Sequence, residues 1–277
     1  MEPTAIQPER IREARFRKCF LDDGRTPVTD QEAALLVDQR GFAGLGVLPR
    51  FDLPNLSASE TGRSWDISGR AWRWKETLPQ ARLCAYMKWF FNQGTFISWR
   101  VYPDFYKLWG MKTAADEAYL AGTLRREERE VFRVIQESGP LDSGELWKKL
   151  KPSLGKRTRL LSALVHLQKT FCITVSGGDV SGWSIHTWDL VERHIPAGLL
   201  DRLPTDDGAV EHLVLQAVEN LVLCTVRELC SLFRWPPSLV SEVAARLHGR
   251  RLIGLDATIA GKKEPCLSSP AGLSLLS

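Results

Sequence analysis

The sequence has no apolar run of the roughly 18–20 residues that a membrane-spanning helix requires. Charged residues interrupt its N-terminal segment, which therefore contains no apolar stretch like that of a secretory signal. It also has little excess charge: the net charge is +4 over 277 residues, which only weakly indicates a polyanionic partner. These absences favour a cytoplasmic protein that does not bind a membrane. Because the net charge is small, the distribution of charge along the sequence is more informative than its sum.

Cysteine and histidine are scattered along the chain rather than clustered. The six cysteines, at positions 19, 84, 172, 224, 230 and 266, include no CxxC spacing, and the five histidines form no group with them. Structural zinc sites need clustered Cys and His ligands, so we expect no metal site, and no motif indicates a cofactor. Because most of the cysteines have apolar neighbours, we expect buried, reduced thiols.

A repeated order of predicted elements is the clearest pattern in the second half of the chain. Residues 126–139 form an amphipathic helical pattern that ends at a glycine. Two further helical patterns and two β-branched runs around a Gly-rich turn follow it. We therefore predict helix–helix–helix–hairpin over 125–190, and the same order again over 208–268. This is the order of a winged helix, a helix-turn-helix variant.

The first 120 residues follow this order less clearly. Capping and stop signals predict a helix from Asp30 to Gly41 and another from Pro79 to Gly94, and TFISWRVYP is typical of a strand. These elements fit a third winged-helix-like unit with an elaborated, Trp-rich middle. The predicted fold class is mainly α with small β-hairpins, built from three tandem winged-helix units. The predicted units are 1–120, 121–200 and 201–277.

Residues 146–170 carry seven lysines and arginines and no acid. They span the second helix, the turn and the third helix of the first repeat, which are the elements that meet DNA in helix-turn-helix proteins. Cations there can neutralise phosphates, whereas the alternative is an ordinary solvated basic face. We interpret the segment as an interface for double-stranded DNA. Its candidate contacts are Lys148, Lys149, Lys156, Arg157 and Arg159.

Residues 60–112 form a second basic segment, with nine lysines and arginines against four acids. Within it, GRAWRWKETL has Trp72 and Trp74 two positions apart, so in an extended segment they share one face while the cations share the other. Either the indoles are core residues, or the cations contact phosphates while an indole stacks on a base or sugar. Both interpretations stay open. The candidate DNA contacts are Arg70, Arg73, Lys75, Lys88 and Arg100, with Trp72 and Trp74 as aromatic contacts.

Three short motifs follow one another between residues 72 and 106. They are Trp72, Trp74 and Lys75, then Tyr86, Met87 and Lys88, then Phe105 and Tyr106. Followed by tandem winged helices, this arrangement resembles the AlkZ-like, or YcaQ-like, superfamily of DNA glycosylases, and its AlkZ-related branch in particular. The resemblance implies a C-shaped protein of tandem winged helices that grips duplex DNA and excises alkylated or crosslinked bases.

The chain departs from that superfamily at its catalytic motif. Active members carry Gln-x-Gln or Gln-x-Asp just after the first helix, where this chain has GLGVLPRFDLPNL. Leu48 stands where the first Gln would be, and Arg50 stands at the second polar position. Hydrolysis of a glycosidic bond needs a group that positions or deprotonates water, and neither side chain does so. Asp52 is the nearby carboxylate, so it is the candidate catalytic residue, with a turn or capping role as the alternative.

Three functions are compatible with these observations. The prediction is a duplex-DNA-binding relative of the AlkZ-like glycosylases that lacks the usual Gln motif. The first alternative is an active glycosylase that excises alkylated or otherwise damaged bases with Asp52 or another acid. The second is a transcriptional regulator or interaction module that uses its winged helices without chemistry.

Overall fold

One order of secondary-structure elements occurs three times along the chain. A computed structural model describes residues 5–48, 51–61, 69–180, 185–261 and 264–276. Over these residues, a helix, a short strand, two helices and two strands follow one another in each of three sets. The order of three helices and a hairpin predicted for 125–190 and 208–268 is therefore observed, with a short additional strand after each first helix.

The first set follows an N-terminal helix, α1 (Pro8–Arg17). It consists of α2 (Asp30–Arg40), β1 (Phe42–Gly44), α3 (Leu56–Thr61), α4 (Gly69–Gln80), β2 (Ala85–Lys88) and β3 (Gly94–Ile97). A 3-10 turn at Phe90–Asn92 lies between β2 and β3. Two helices then lead to the second set, α5 (Tyr102–Trp109) and α6 (Ala115–Leu120).

The second and third sets are more regular and are joined by a short helix, α10 (Val191–His194). The second set is α7 (Arg126–Ser138), β4 (Leu141–Asp142), α8 (Ser143–Leu154), α9 (Arg157–Lys169), β5 (Ile173–Asp179) and β6 (Ile185–Leu190). The third is α11 (Asp206–Leu221), β7 (Leu223–Thr225), α12 (Val226–Phe233), α13 (Pro237–Gly249), β8 (Gly254–Ala257) and β9 (Cys266–Ser268). A last helix, α14 (Pro270–Ser274), follows it.

Local capping signals begin several of these helices. At the start of α2 the Thr29 hydroxyl accepts a hydrogen bond from the backbone N–H of Glu32, and the Glu32 carboxylate accepts one from the backbone N–H of Thr29. The predicted helix from Asp30 is thus confirmed, and it ends before Gly41 in the left-handed region. The same reciprocal cap begins α8 and α12, at Asp142 with Glu145 and at Thr225 with Glu228.

Each set contains a three-stranded antiparallel sheet with the same strand order. The orders are β1-β3-β2, β4-β6-β5 and β7-β9-β8, so the last strand of each set lies in the middle of its sheet. The short strand that follows the first helix pairs with this middle strand, as in Phe42 opposite Ile97 and Leu141 opposite Trp188. The short strand therefore ties the first helix of each set to the hairpin at its end.

The sets share hydrophobic cores instead of each having its own. One core joins α2 and α4 to α7, α8 and α9, with Trp74 and Phe96 among its buried residues. A second core joins the first sheet and α5 to α11, α12 and α13, with Phe42 and Phe105 on one side and Leu213 on the other. The first set is therefore the centre of the molecule and packs against both of the others.

The segment that contains Trp72 and Trp74 is helical, so the two indoles do not share one face as they would in an extended segment. In α4, Ala71, Trp74, Lys75 and Leu78 are buried, which is the i, i+3, i+4, i+7 spacing of a helix face. Two residues that are two positions apart lie on different sides of a helix. Trp74 therefore faces the core, while Trp72 is half-buried. The buried Lys75 and Glu76 conceal this periodicity, because charged residues normally mark the solvent face.

The prediction of a helix from Pro79 to Gly94 was wrong. Pro79 lies in the last turn of α4, and after a turn at Arg82 the chain forms β2, the 3-10 turn and β3. Three consecutive residues of β2, Ala85–Met87, are buried. A strand buried on both faces lacks the alternation of apolar and polar residues, so its sequence cannot be told from a buried helix by periodicity.

The cysteine side chains of this chain lie mostly in its interior. None of the six cysteines, all of which lie in the described residues, forms a disulfide; five of them are buried and Cys230 is half-buried. Burial raises the pKa of the Cys19 and Cys172 thiols to about 11, which makes them unreactive at neutral pH. No group of three potential ligands that could hold a metal ion occurs in the described parts of the chain. Among the same residues, no helix has the length and apolar character needed to cross a membrane.

Strand β5 approaches α4 closely because two of its residues are glycines. The pairing of β5 with β6 shifts in register between Val175 and Gly177, and Gly177 has a φ of 150°. A Cβ at Gly178 would overlap the Glu76 carboxylate and the Ile185 carbonyl oxygen. The second set can therefore dock on α4 only where its hairpin lacks side chains.

We predict that Gly178→Ala lowers the free energy of unfolding by about 1–3 kcal/mol, because an added methyl group overpacks the contact between β5 and α4. Denaturant unfolding followed by circular dichroism measures this change. The control is Gly249→Ala at the end of α13, where a Cβ would meet no described atom within 4 Å. We expect the control to stay within about 0.5 kcal/mol of the parent protein. Equal stability of the two variants would contradict the tight contact.

Candidate nucleic-acid interface

The helix–turn–helix of the second set has one apolar face and one basic face. Gly155, with a φ of 68°, ends α8 and lets the chain turn into α9. Leu146, Leu150 and Leu154 of α8, together with leucines of α9, face the core. The cations lie on the opposite, solvent-exposed side, because the apolar stripe leaves them no other position. They are Lys148, Lys149, Lys151, Lys156, Arg157 and Arg159.

Most of these cations have no carboxylate partner. Among the residues that the structure describes, Lys148, Lys149, Lys156 and Arg157 form no ion pair within 4.0 Å. Arg159 differs, since its Nη1 lies 4.0 Å from Glu127 Oε1 and 3.3 Å from the Leu154 carbonyl oxygen. The basic face therefore presents positive charge that the protein does not itself neutralise, which favours a polyanionic partner.

A cavity of about 310 Å³ joins the two basic segments of the sequence. Lys88 at the end of β2 and Arg157 at the start of α9 both line it. The backbone N–H of Lys88 donates to Gln168 Oε1 at 3.1 Å, which holds β2 beside α9. Aromatic and polar side chains complete the wall. They include Tyr86, Ser143, His186 and Trp188.

A buried carboxylate lies behind this cavity. The Glu76 side chain is fully buried, and its Oε1 lies 2.8 Å from Lys75 Nζ and 2.9 Å from His186 Nδ1. Lys75 Nζ also lies 4.1 Å from the ring centroid of Trp72. The carboxylate fixes the orientation of the His186 ring, which is partly exposed at the cavity wall.

The rings around His186 form the aromatic part of the cavity wall. Tyr86 and Trp188 lie with ring centroids 5.7 and 5.5 Å from His186. Burial, and secondly the negative charge of Glu76, raise the pKa of the Tyr86 phenol well above its usual value. Tyr86 is therefore a protonated hydrogen-bond donor at neutral pH. Glu76, His186 and Trp188 were not identified from the sequence, because nothing in a single chain marks a glutamate whose partner lies 110 positions away.

The segment that corresponds to the catalytic motif of the glycosylases lies elsewhere. Leu48 is buried in the core, and Phe51 stacks on Phe91 with centroids 5.5 Å apart. The Asp52 carboxylate is half-exposed, and its Oδ2 lies 3.9 Å from Arg15 Nη1. Arg50 and its neighbour at position 49 lie outside the described residues.

Asp52 lines a different cavity from His186, one of about 220 Å³ next to α1. Its partner Arg15 is held mainly by two carbonyl oxygens, those of Leu221 and Leu223, each at 2.7 Å. These bonds anchor α1 on the third set. The contacts of Asp52 are those of a surface carboxylate beside a structural arginine. Among the described residues, the other ionisable side chains that line its cavity are Arg12, Arg15 and Cys19.

Comparison with known proteins identifies the family. The model of the AlkZ-related family matches residues 28–230. The chain belongs to the AlkZ-related family. The solved structure of the Streptomyces sahachiroi DNA glycosylase AlkZ is similar, with a TM-score of 0.62 and 11% identity over 99% of this chain and 72% of that chain. At this identity the similarity shows the fold alone. A comparison with the curated proteins gives no match.

In this AlkZ-related protein, several of the predicted contact residues are not available to a ligand. Lys75 is buried against Glu76, and Trp74 is a core residue whose Nε1 donates to Asp30 Oδ1 at 3.1 Å. The expectation that they contact DNA is therefore corrected, because burial withholds both side chains. Arg100 is exposed, but its Nη2 donates to Gln216 Oε1 at 2.7 Å and to a backbone carbonyl. Its guanidinium serves a contact between the first and third sets.

The other predicted residues of the 60–112 segment are accessible to different degrees. Arg73 and Lys88 are exposed, whereas Arg70 and Trp72 are half-buried. The Trp72 ring is occupied on one side by Lys75 Nζ, so at most part of the indole faces outward. The structure therefore combines the two interpretations of GRAWRWKETL: one tryptophan and one cation belong to the interior, and the other cations lie towards the surface.

We predict that Glu76→Gln lowers the free energy of unfolding by about 3–5 kcal/mol, because a neutral amide cannot balance the buried ammonium group of Lys75. Asp52→Asn is the matched control, and we expect it to change the same quantity by less than about 1 kcal/mol, since the Asp52 carboxylate is half-exposed and lies 3.9 Å from its partner Arg15. Thermal and denaturant unfolding measure both variants. An unchanged stability of Glu76→Gln would mean that another group balances Lys75.

Proposed function

We propose that this AlkZ-related protein binds double-stranded DNA through the basic face of α8 and α9. The observation that carries the proposal is the set of exposed cations without carboxylate partners on that face. Lys88 extends the positive surface, since it lines the same cavity as Arg157. Lysine and arginine side chains that release counterions from phosphates supply most of the sequence-independent part of such binding.

We also infer that the chain consists of tandem winged-helix units at 1–120, 121–200 and 201–277. Three features support this division: the threefold order of elements, the shared strand order of the three sheets, and the short strand after each first helix. A C-shaped arrangement, as the family resemblance implies, would turn the basic face of α8 and α9 towards a duplex. In a winged helix the third helix enters the major groove, and in the second unit this helix is α9.

Reversing the charge of Lys156 and Arg157 tests the proposed interface. We expect the double variant Lys156→Glu/Arg157→Glu to weaken binding to duplexes of unrelated sequence. We also expect it to flatten the log–log salt dependence by one to two units, at about 0.9 per lost phosphate contact. Fluorescence anisotropy at several salt concentrations measures both quantities.

Arg202→Glu is the charge control for this experiment, because Arg202 is an exposed residue of the connector before α11. It changes the net charge by two units without touching α8 or α9. Equal affinities of the parent and the double variant at low salt would identify the basic face as a solvated surface and would refute the proposed interface.

A second candidate function, base excision, is supported by one observation. The His186 ring, oriented by the buried Glu76, lies in the wall of a cavity beside Tyr86 and Trp188. A histidine oriented by a carboxylate can accept a proton from water, and aromatic walls can hold an extruded base. Leu48 argues against base excision, because it is a buried leucine at the position where active members of the superfamily carry their Gln.

We predict no excision of a cationic N7-alkylated purine, the easiest leaving group for this chemistry. The expectation follows from the absent Gln motif and from the structural surroundings of Asp52. Purified protein in excess is incubated with a duplex that carries the lesion, and abasic sites are counted after strand cleavage.

If abasic sites form, two variants identify the catalyst. Loss of activity in Asp52→Asn would assign the chemistry to Asp52, and loss in His186→Asn would assign it to the pair of His186 and Glu76. In either case the expectation of no excision fails, whereas the absence of abasic sites at all protein concentrations supports it.

A further inference from the structure

A second cleft, separate from the basic face, lies where the three sets meet. Its volume is about 230 Å³. Its walls come from the turn between β2 and β3, the end of α5, the end of α9 and the end of α12. Six of its nine lining residues are aromatic, and no acid lines it among the described residues. The aromatic residues are Trp89, Phe90, Phe91, Trp109, Phe233 and Trp235.

The rings of this cleft are arranged as flat, partly open surfaces. Trp109 and Trp235 are nearly parallel, with an interplanar angle of 3° and centroids 5.8 Å apart. Phe233 stacks on Trp235 at 4.4 Å, and Trp89 meets Trp109 edge-on at 5.0 Å. The three indoles are only partly buried, so they leave ring surface accessible. Such open aromatic surface is typical of a site that stacks a planar ligand.

Two cations lie beside these rings without a carboxylate to neutralise them. Lys169, at the end of α9, and Arg234, just after α12, both line the cleft. Lys169 Nζ donates to Asn92 Oδ1, a neutral acceptor, and in the described parts of the chain neither cation forms an ion pair. Burial, and secondly the positive charge of Arg234, lower the pKa of Lys169. The two charges therefore act on each other, and an anion between them would relieve their repulsion.

Left-handed backbone occurs at three positions around the cleft. Phe91, Asn92 and Arg234 have φ angles of 51°, 60° and 59°. Arg234 is the left-handed residue that ends α12, and Phe91 and Asn92 belong to the turn between β2 and β3. The turn and the helix end place Phe91 and Arg234 at the wall of the cleft and Asn92 beside Lys169.

We propose that this cleft binds one unpaired nucleotide, with its base stacked on the indole surface and its phosphate between Lys169 and Arg234. A nucleotide has a planar base, which can stack on the indoles. It also has a negatively charged phosphate, which the two cations can bind. A volume of about 230 Å³ suits one nucleobase rather than several. The nucleotide comes either from solution, as a free mononucleotide, or from a single-stranded part of a nucleic acid.

This site does not depend on the proposed duplex interface, because none of Lys148, Lys149, Lys156 and Arg157 lines it. Three probes separate the sources of the ligand: dAMP, deoxyadenosine and a single-stranded ten-nucleotide thymidine oligomer. Isothermal titration calorimetry of the full chain measures their affinities. We expect saturable binding of dAMP or of the oligomer, and weaker binding of deoxyadenosine than of dAMP, since it lacks the phosphate. Binding of the oligomer without dAMP identifies a strand as the source.

The variants test the two halves of the site separately. We expect Lys169→Gln/Arg234→Asn to weaken binding at least about tenfold, because two charge-assisted contacts are lost. Asn suits position 234, since it tolerates left-handed backbone. We expect Trp235→Leu to weaken binding by about tenfold or more, and Trp235→Phe to retain most of the affinity, because a ring remains for stacking. Arg202→Gln is the charge control and should bind as the parent does.

Two results would overturn the site: the parent protein binds neither dAMP nor the oligomer at millimolar ligand, or both the charge variant and Trp235→Leu bind as tightly as the parent. Circular dichroism melts confirm that each variant is folded. Duplex binding is measured on the same samples, and we expect Trp235→Leu, which changes no charge, to alter it by less than threefold. Failure of this site and failure of the α8–α9 interface are thereby distinguished.

Discussion

The burial of Glu76 is the constraint on which the arrangement of the first two sets depends. A carboxylate without solvent is costly unless its charge is balanced and its oxygens accept hydrogen bonds. Here Lys75 comes from the same helix, but His186 comes from β6 of the next set. Helix α4 can therefore dock on the second sheet only in the register that brings Glu76 to His186. Gly177 and Gly178 permit the close approach, because a side chain at either position would meet α4.

The cavity between the two basic segments follows from this docking. Because α4 packs against β5, β2 lies next to α9, and the backbone N–H of Lys88 donates a hydrogen bond to Gln168. Lys88 and Arg157 then line one wall with His186 and Tyr86. A buried ionic contact thus determines where exposed charges from distant parts of the sequence meet. The same contact orients His186 at the wall of this cavity.

Polar contacts also hold the third set, among them the contact of the buried Asp104 carboxylate in α5 with His212 Nδ1 in α11 at 2.7 Å. Arg15 donates to the carbonyl oxygens of Leu221 and Leu223, Asn220 Nδ2 donates to the Arg40 carbonyl oxygen, and Arg100 donates to Gln216. Each of these bonds satisfies a backbone or amide group that the interface would otherwise leave without a partner. They align the end of α12 with the turn after β2, and the aromatic cleft results from that alignment.

Local interactions let the sequence alone determine the regular parts of this protein. The caps at Thr29, Asp142 and Thr225 involve residues three positions apart, and the repeated order of elements and the acid-free stretch at 146–170 are likewise visible in one dimension. Tertiary structure decided the rest. Strand β2 is buried on both faces and α4 carries its charges inward, so neither shows the periodicity of its own conformation. The contact of Glu76 with His186, and the meeting of Trp109 with Trp235, join residues more than a hundred positions apart, and only the packing of the three sets brings them together.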